Sequence, residues 1–331
     1  MHEDLKKHIM VVKDTDIEEY SDTMPKTKED SIDGRREKVF VRCSSQYFGD
    51  LISELQSKAD CTFDTYINDL VKDGYTPTFI SILKRQPNDT MIQYDDTGIG
   101  HFRDVCASRV LNYFGCPTTY DTILDIDGTL CSCSVDFSRV GEDFYSVDNL
   151  METNGDNNIA DDVATIERML KWYHKKTDFK DYDKTKDEYI SSFVYSYMTR
   201  KYILFDGDCW MNNFGIIHNT TDNTVRMSPN YDFEYCFNFD SNSKRQEKFY
   251  AKFLKEITFV KQHYPYVYDR LVSRLHDFLS EKDGKPTYTT IIEKEIGASA
   301  SATSFTIEYG NRLQRIDSIM AQVKDATPET N

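Results

Sequence analysis

Residues 205 to 237, FDGDCWMNNFGIIHNTTDNTVRMSPNYDFEYCF, constrain this chain more than any other stretch. Phe214 to His218 reads as a short apolar strand, Asn219 to Asn223 as a turn cluster, and Thr224 to Met227 as the returning strand. A hairpin of that length carries Asp232, which opens an Asp-Phe-Glu run, back beside Asn213, itself five residues after Asp208. Three oxygen-bearing side chains then converge on one point. Phosphoryl transfer from ATP needs such a set: one carboxylate beside the acceptor hydroxyl, and an Asn and a second carboxylate holding Mg²⁺. Asp and Asn are also ordinary turn residues that bond local backbone groups. With 56 Asp and Glu in the chain, some such spacing arises by chance. The stretch gains meaning from what precedes it.

Composition narrows the partners. A net charge of −16 argues against direct nucleic-acid binding, which demands a basic face, and against docking on anionic membranes. The 331 residues suffice for one large or two ordinary domains, and 22 Tyr and 20 Phe imply a core rich in rings. The N-terminus, MHEDLKKHIMVVKDTD, has no apolar run suited to a signal peptide, and no stretch approaches a transmembrane helix. Eight cysteines are scattered without a C-x-x-C; Cys131 and Cys133 share a strand face with no His or Cys cluster beside them. Free buried thiols in a reducing cytoplasm are the expectation.

Along the chain, His8 to Lys13 and Lys38 to Cys43 read as strands, with a polar loop from Glu18 to Arg36 between them. Helical spacing follows from Phe48 to Leu55 and from Thr62 to Lys72. Thr78 to Arg85 is a strand, Asp104 to Phe114 a helix stopped by Gly115, and Thr119 to Ile126 a strand. Asp127-Gly128 makes a hairpin to a partner strand from Thr129 to Phe137. The remainder reads as helix: Ile159 to Lys175, Tyr189 to Leu204, and segments near 244 to 262, 265 to 280 and 303 to 323.

Lys84 ends one strand and Asp104 begins the next helix twenty residues on. A strand lysine on the ATP phosphates, held by an acid on the following helix, is the pairing a protein kinase needs; alone, such a lysine is usually a solvated strand end. The order of strand lysine, helix acid, hairpin, hinge strand, long apolar helix, D-x4-N, hairpin and second Asp is far more specific.

This order resembles the HipA-like kinase family, which includes the HipA and HipT toxin kinases and the CtkA-type kinase. The resemblance runs from about Thr78 to Glu234. SVDFSRVGEDFYSVDNL (134 to 150) is similar to the family's hinge run, DVCASRVLNYFGCPTTYDTIL (104 to 124) to its helix ending in Gly, a short apolar residue and Pro, and MSPNYDFE (227 to 234) to its second metal-binding run.

The resemblance implies an α+β, bilobal fold, with a small α/β lobe over 1–137 and a mainly helical lobe over 138–331. It implies that Asp208 orients and deprotonates the acceptor hydroxyl, and that Asn213 and Asp232 bind Mg²⁺. Lys84 would hold the α and β phosphates of ATP with Asp104 as its partner, and backbone groups of Ser134, Val135 and Asp136 would meet the adenine edge. The implied partners are a protein substrate, phosphorylated on Ser or Thr, and an antitoxin-like inhibitor.

Two positions depart from the family pattern: Asp206 stands where Asn is usual and Trp210 where His is usual. The extra carboxylate is expected to alter local charge and metal binding, and an indole cannot do a histidine's proton chemistry. Asp104 is one methylene shorter than the usual Glu. No Gly-rich loop precedes Lys84, and Gly98-Ile-Gly100 follows it; Cys43 to Gly49 is the best phosphate-covering segment, with Ser44 and Ser45 as autophosphorylation candidates. Two rival readings stay open: a small-molecule kinase on the same fold, and a catalytically inactive binding module.

Overall fold

The computed structural model describes residues 102–119, 121–126, 129–135, 141–152, 158–233, 235–297 and 300–325. It also gives the backbone of four earlier strands, β1 (Met10–Val12), β2 (Ile17–Glu19), β3 (Glu37–Cys43) and β4 (Ile80–Arg85). These join β5 (Asp121–Ile126) and β6 (Thr129–Val135) in a six-stranded sheet of order β1-β5-β6-β4-β3-β2. Only the β1–β5 pair is parallel. The expected polar loop from Glu18 is corrected at its start, where Ile17–Glu19 pairs with Val41–Cys43. The two helices expected between Phe48 and Lys72 lie outside the described residues.

Helix α1 (Arg103–Phe114) precedes β5 and ends where Gly115 adopts φ 72°, a left-handed conformation open to glycine at little cost. A second, three-stranded sheet follows, of order β7-β8-β9: β7 (Glu142–Ser146), β8 (Gly215–Asn219) and β9 (Thr224–Met227). The β8–β9 hairpin is the one read from the sequence. Sequence periodicity missed β7, because its EDFYS shows no clean alternation of polar and apolar residues.

The rest is helical. After the short α2 (Val147–Leu150), α3 (Ile159–Thr177) begins at Asn158, whose side chain accepts from the Asp161 backbone N–H at 3.1 Å. α4 (Tyr182–Met198) runs toward the segment that carries Asp208. α5 (Ser243–His263), α6 (Pro265–Leu279), α7 (Thr287–Ile296) and α8 (Ala300–Asp325) close the chain. α7 was not anticipated. It packs on α1, where Arg109 Nε meets Glu295 Oε1 at 3.2 Å.

The high ring content finds its place under the segment that follows Asp232. Phe237, Phe239, Phe305 and Tyr309 interlock, with ring centroids 5.2 Å apart for Phe237–Tyr309 and 5.6 Å for Phe239–Phe305. Such pairs add roughly 0.5–1.5 kcal/mol each beyond burial, so the platform beneath the site is stiff. Cys106, Cys116, Cys209 and Cys236 are free thiols, as expected, and burial pushes Cys116 up to about 11 and Cys209 up to about 12. No described helix is long and apolar enough to cross a membrane.

Candidate active site

α4 does not simply stop. Its last turn widens into a π-helical segment, Thr199–Ile203, in which Leu204 N–H reaches Thr199 C=O at 3.0 Å. π-turns concentrate at functional sites because they re-aim side chains within a helix. Here the widened turn faces Arg200 inward, and its side chain is fully buried.

Arg200 is the hub of the site. Its Nε and one terminal nitrogen grip Asp206 Oδ2 at 2.8 and 2.6 Å. The other terminal nitrogen donates to the backbone carbonyls of Asn213 at 3.2 Å and Tyr231 at 3.1 Å, and the first also reaches the Asp232 carbonyl at 3.0 Å. Its guanidinium carbon lies 5.5 Å from the Phe214 ring centroid and 5.2 Å from that of Phe233. One cation thus ties together the loop after α4, the turn carrying Asn213 and the segment carrying Asp232. Burial pulls the guanidinium pKa down, but the Asp206 charge, with Cys209, Cys236 and the Asp206 hydrogen bond added, outweighs it and raises the pKa.

Asp206 is held on both sides in this geometry. One of its oxygens belongs to Arg200, and the other, Oδ1, accepts the Asp208 backbone N–H at 3.0 Å. It is a structural counter-ion that shapes the loop bearing Asp208. Phe205, just before it, adopts φ 51°, which costs an aromatic residue free energy. Rings of Phe239, Phe249 and Tyr309 and the Asn238 N–H bonded to Phe205 C=O hold it there.

Asn213 sits in a 3-10 turn, Met211–Asn213, and is buried. Its side-chain nitrogen donates to the Asp208 carbonyl at 2.6 Å, which leaves its amide oxygen as the end available to a cation. Asp232 adopts φ 60°, and Tyr231 O–H anchors its neighbourhood on the Asn212 carbonyl at 2.5 Å. Asp208 is half-buried. Burial, then the carboxylates of Asp206 and Asp232, push its carboxyl up, while the Trp210 indole N–H and Arg200 pull it back. The three residues singled out from the sequence are therefore brought together.

The sheet side of the site is partly described. Asp104 is buried, 1% exposed, and its Oδ1 accepts the Phe233 backbone N–H at 3.2 Å, so the helix acid touches the Asp-Phe-Glu run directly. Lys84 is in β4, flanked by Lys38 of β3 and Ser132 of β6; its side chain lies outside the described residues. Ser134 pairs in register with Asp121, whose carboxylate accepts both the Ser134 and the Thr119 hydroxyls. Val135 ends β6, and Asp136 lies outside the described residues, as do Ser44, Ser45 and Gly98 to Gly100.

Sequence reasoning missed Arg200 and Asn230. Asn230 is wholly buried; its backbone N–H and side-chain nitrogen both bond the Pro117 carbonyl, and its own carbonyl accepts from Thr119 N–H at 2.9 Å. The signal for Arg200 was present: it and Lys201 are the cations inside an otherwise apolar run from Tyr189 to Leu204. Among the described residues no cluster of three or more His, Cys, Asp or Glu side chains is arranged to cage a metal by itself.

No protein-family model matches the chain, and no curated protein matches it. Solved structures do. The chain is similar to HipA-like kinases. One is a Helicobacter pylori proinflammatory kinase, CtkA, at 15% identity and TM-score 0.47, with 75% of this chain and 91% of that chain covered. Another is HipA of Shewanella oneidensis MR-1, solved with HipB and operator DNA, at 10% identity and TM-score 0.44, covering 76% of this chain and 62% of that one.

Proposed function

We propose that this chain transfers the γ-phosphate of ATP to a Ser or Thr hydroxyl of a protein, with Mg²⁺ as the metal. The observation that carries the reading is the convergence of Asp208, Asn213 and Asp232 around the buried Arg200. The donor chemistry fits Mg²⁺: one amide oxygen and one carboxylate, both hard ligands, in a site where Asp232 and Asp208 repel and a cation relieves that repulsion. Mg²⁺ favours few protein ligands and completes its shell with phosphate oxygens and water. Bound there, the ion would offset charge on the transferring phosphoryl group.

In this reading Asp208 orients the acceptor hydroxyl and accepts its proton. Its raised pKa suits a base that must take a proton and later release it. Lys84 on the phosphates, its pairing with Asp104, adenine recognition by the backbone of Ser134 to Asp136, and a lobe boundary near Phe137 complete the proposal. An antitoxin-like protein as inhibitor is proposed on the sequence resemblance.

The test is intact mass and ADP release with Mg²⁺-ATP, alone and with a generic protein substrate, beside Asp208→Asn and Asp232→Ala. Transfer by the wild type, a loss of about 10²–10⁴-fold in Asp208→Asn and loss of Mg²⁺-dependent nucleotide binding in Asp232→Ala are expected. Nucleotide-induced thermal stabilisation without any turnover would leave an inactive module. Turnover with small molecules alone would move the acceptor to that class, since a fold does not fix the acceptor.

A further inference from the structure

α5 follows the Asp232 segment after a turn in which Asn242 N–H donates to Asp240 Oδ1 at 2.8 Å. Its inner side is fixed to the candidate site. Glu256, 3% exposed, accepts the Tyr202 hydroxyl at 2.7 Å and lies 3.8 Å from Lys201 Nζ. Both partners belong to the π-helical segment that carries Arg200. The outer side carries a different pattern. Lys244, Lys248 and Lys255 are all exposed, and their helical spacing puts them on one stripe. The stripe is about 16 Å long at 1.5 Å per residue. Ala251, exposed within it, is small, so the lysines stand around a low floor.

Helix stability does not favour this arrangement. The first turn of α5 holds Lys244 and Arg245 and no acid, at the end where the macrodipole is positive. Lys244 and Lys248, and Lys248 and Lys252, are like charges four residues apart, a spacing that destabilises a helix. Arg245 is offset by Asp240 at 3.4 Å. Among the described residues Lys244, Lys248 and Lys255 make no ion pair. Glu247, the exposed acid of this helix, lies about a quarter-turn off the stripe and pairs with none of them. Exposed lysines elsewhere do find acids, Lys184 with Glu188 at 3.8 Å and Lys285 with Glu293 at 2.6 Å. In a chain with 56 acids against 40 bases, a stripe of cations kept apart from carboxylates calls for an anion from outside.

We propose that this stripe is a docking surface for an acidic, extended segment of a partner protein, rich in Asp and Glu. An extended chain covers about 3.3 Å per residue, so roughly five residues match the stripe. Lysine ammoniums are point charges that take carboxylates in many geometries, which suits a segment defined by charge rather than by exact sequence. Nucleic acid fits less well. A longer polyanion runs past the stripe onto a molecule of net charge −16, and the stripe offers no ring on which bases could stack. A partner docked here is tethered to the helix whose buried side holds the π-helical segment of the site. The surface stands apart from the kinase reading, which supplies only the name of substrate for the partner.

The test is fluorescence anisotropy of two labelled hexapeptides with the full-length protein, without nucleotide. One peptide is all Asp and Glu, the other all Asn and Gln. The acidic peptide should bind and weaken as salt rises, as exposed charge pairs do, and the amide peptide should not bind. The triple variant Lys244→Gln, Lys248→Gln, Lys255→Gln should lose about tenfold in affinity, as three exposed pairs together supply. Its basal turnover should be unchanged and its melting temperature no lower than wild type, because like charges have been removed. Equal binding of the two peptides, or undiminished binding of the acidic peptide to the triple variant, overturns the proposal. So does a single-stranded oligonucleotide of equal charge that binds more tightly than the peptide and is lost in the triple variant. If the triple variant does not fold, Lys248→Glu decides: the acidic peptide should bind it more weakly than wild type, and unchanged binding overturns the proposal. Asp208→Asn should bind the peptide as wild type does. Peptide binding by a protein that transfers no phosphate would sink the kinase reading and leave the docking surface standing.

Discussion

A single buried cation carries more of the candidate site than any of its reactive groups. Arg200 offers its guanidinium donors to one carboxylate and three backbone carbonyls, so removing it strands Asp206 uncompensated and frees two segments at once. Breaking a buried pair by deleting one partner costs about 3–5 kcal/mol. Arg200→Ala should therefore lose that much in chemical denaturation and lose turnover with it, whereas Arg200→Lys, with no planar fork, should recover little of either. Asp206→Asn keeps an oxygen for the Asp208 N–H but drops the charge. It should lower stability with a weaker effect on the pH profile than any change at Asp208. A protein as stable as wild type after Arg200→Ala would refute the hub.

Two small elements hold the reactive loop in place, and each turns on one residue. Gly215 opens β8 two residues after Asn213. A Cβ there would lie 2.5 Å from the Tyr145 carbonyl and 2.5 Å from a Phe144 ring carbon on β7. Gly215→Ala should push β7 and β8 apart, cost about 1–3 kcal/mol by overpacking, and reduce Mg²⁺-dependent nucleotide binding through Asn213; unchanged binding and melting would contradict this. At the far end of the hairpin, His218 bonds the Tyr173 hydroxyl at 3.0 Å and Asn223 Oδ1 at 2.8 Å. Asn223, at φ 57°, donates on to the carbonyls of Thr177 and Asp178 that end α3. Asn223→Ala loses these bonds and the tolerance of a left-handed backbone. It should cost about 1–3 kcal/mol, read as a lower melting temperature, with Asn223→Gly milder than Asn223→Ala.

At the scale of the molecule, α1 and the turn after it reach the segment before and around Asp232 through bonds that include two near the candidate site. Asp104 accepts the Phe233 N–H, the Pro117 carbonyl accepts from Asn230, and Thr119 N–H donates to the Asn230 carbonyl. Both contacts land on the MSPNYDFE run, so anything that moves α1 moves the Asp232 segment. Asp104→Ala should thus weaken nucleotide binding and cost about 1–3 kcal/mol from the unsatisfied Phe233 N–H. Lys84→Ala should lower turnover and raise the ATP requirement with little change in stability. Saturating Mg²⁺-ATP should stabilise the wild type by roughly 2.7 kcal/mol at a hundred times Kd, and Asp232→Ala should not show that gain. A full gain in Asp232→Ala would separate this segment from the nucleotide.

Local patterning was enough for much of the architecture. The β8–β9 hairpin follows from an apolar run, an Asn-rich turn and a returning strand. The end of α1 follows from Gly115, because that signal acts over a few residues. The same reasoning placed Asp208, Asn213 and Asp232 together. It failed where an element has no internal period, as in β7 and Ile17–Glu19, which form only because a partner strand supplies their hydrogen bonds. It also could not tell which of two nearby carboxylates would be locked in an ion pair. Asp206 and Asp208 differ by two positions in the chain, yet one is neutralised by Arg200 and the other is left half-buried between like charges. That distinction depends on where a guanidinium ends up after α4 widens into its π-turn. Tertiary structure alone decides it, because charge and solvation are properties of surroundings rather than of residue type.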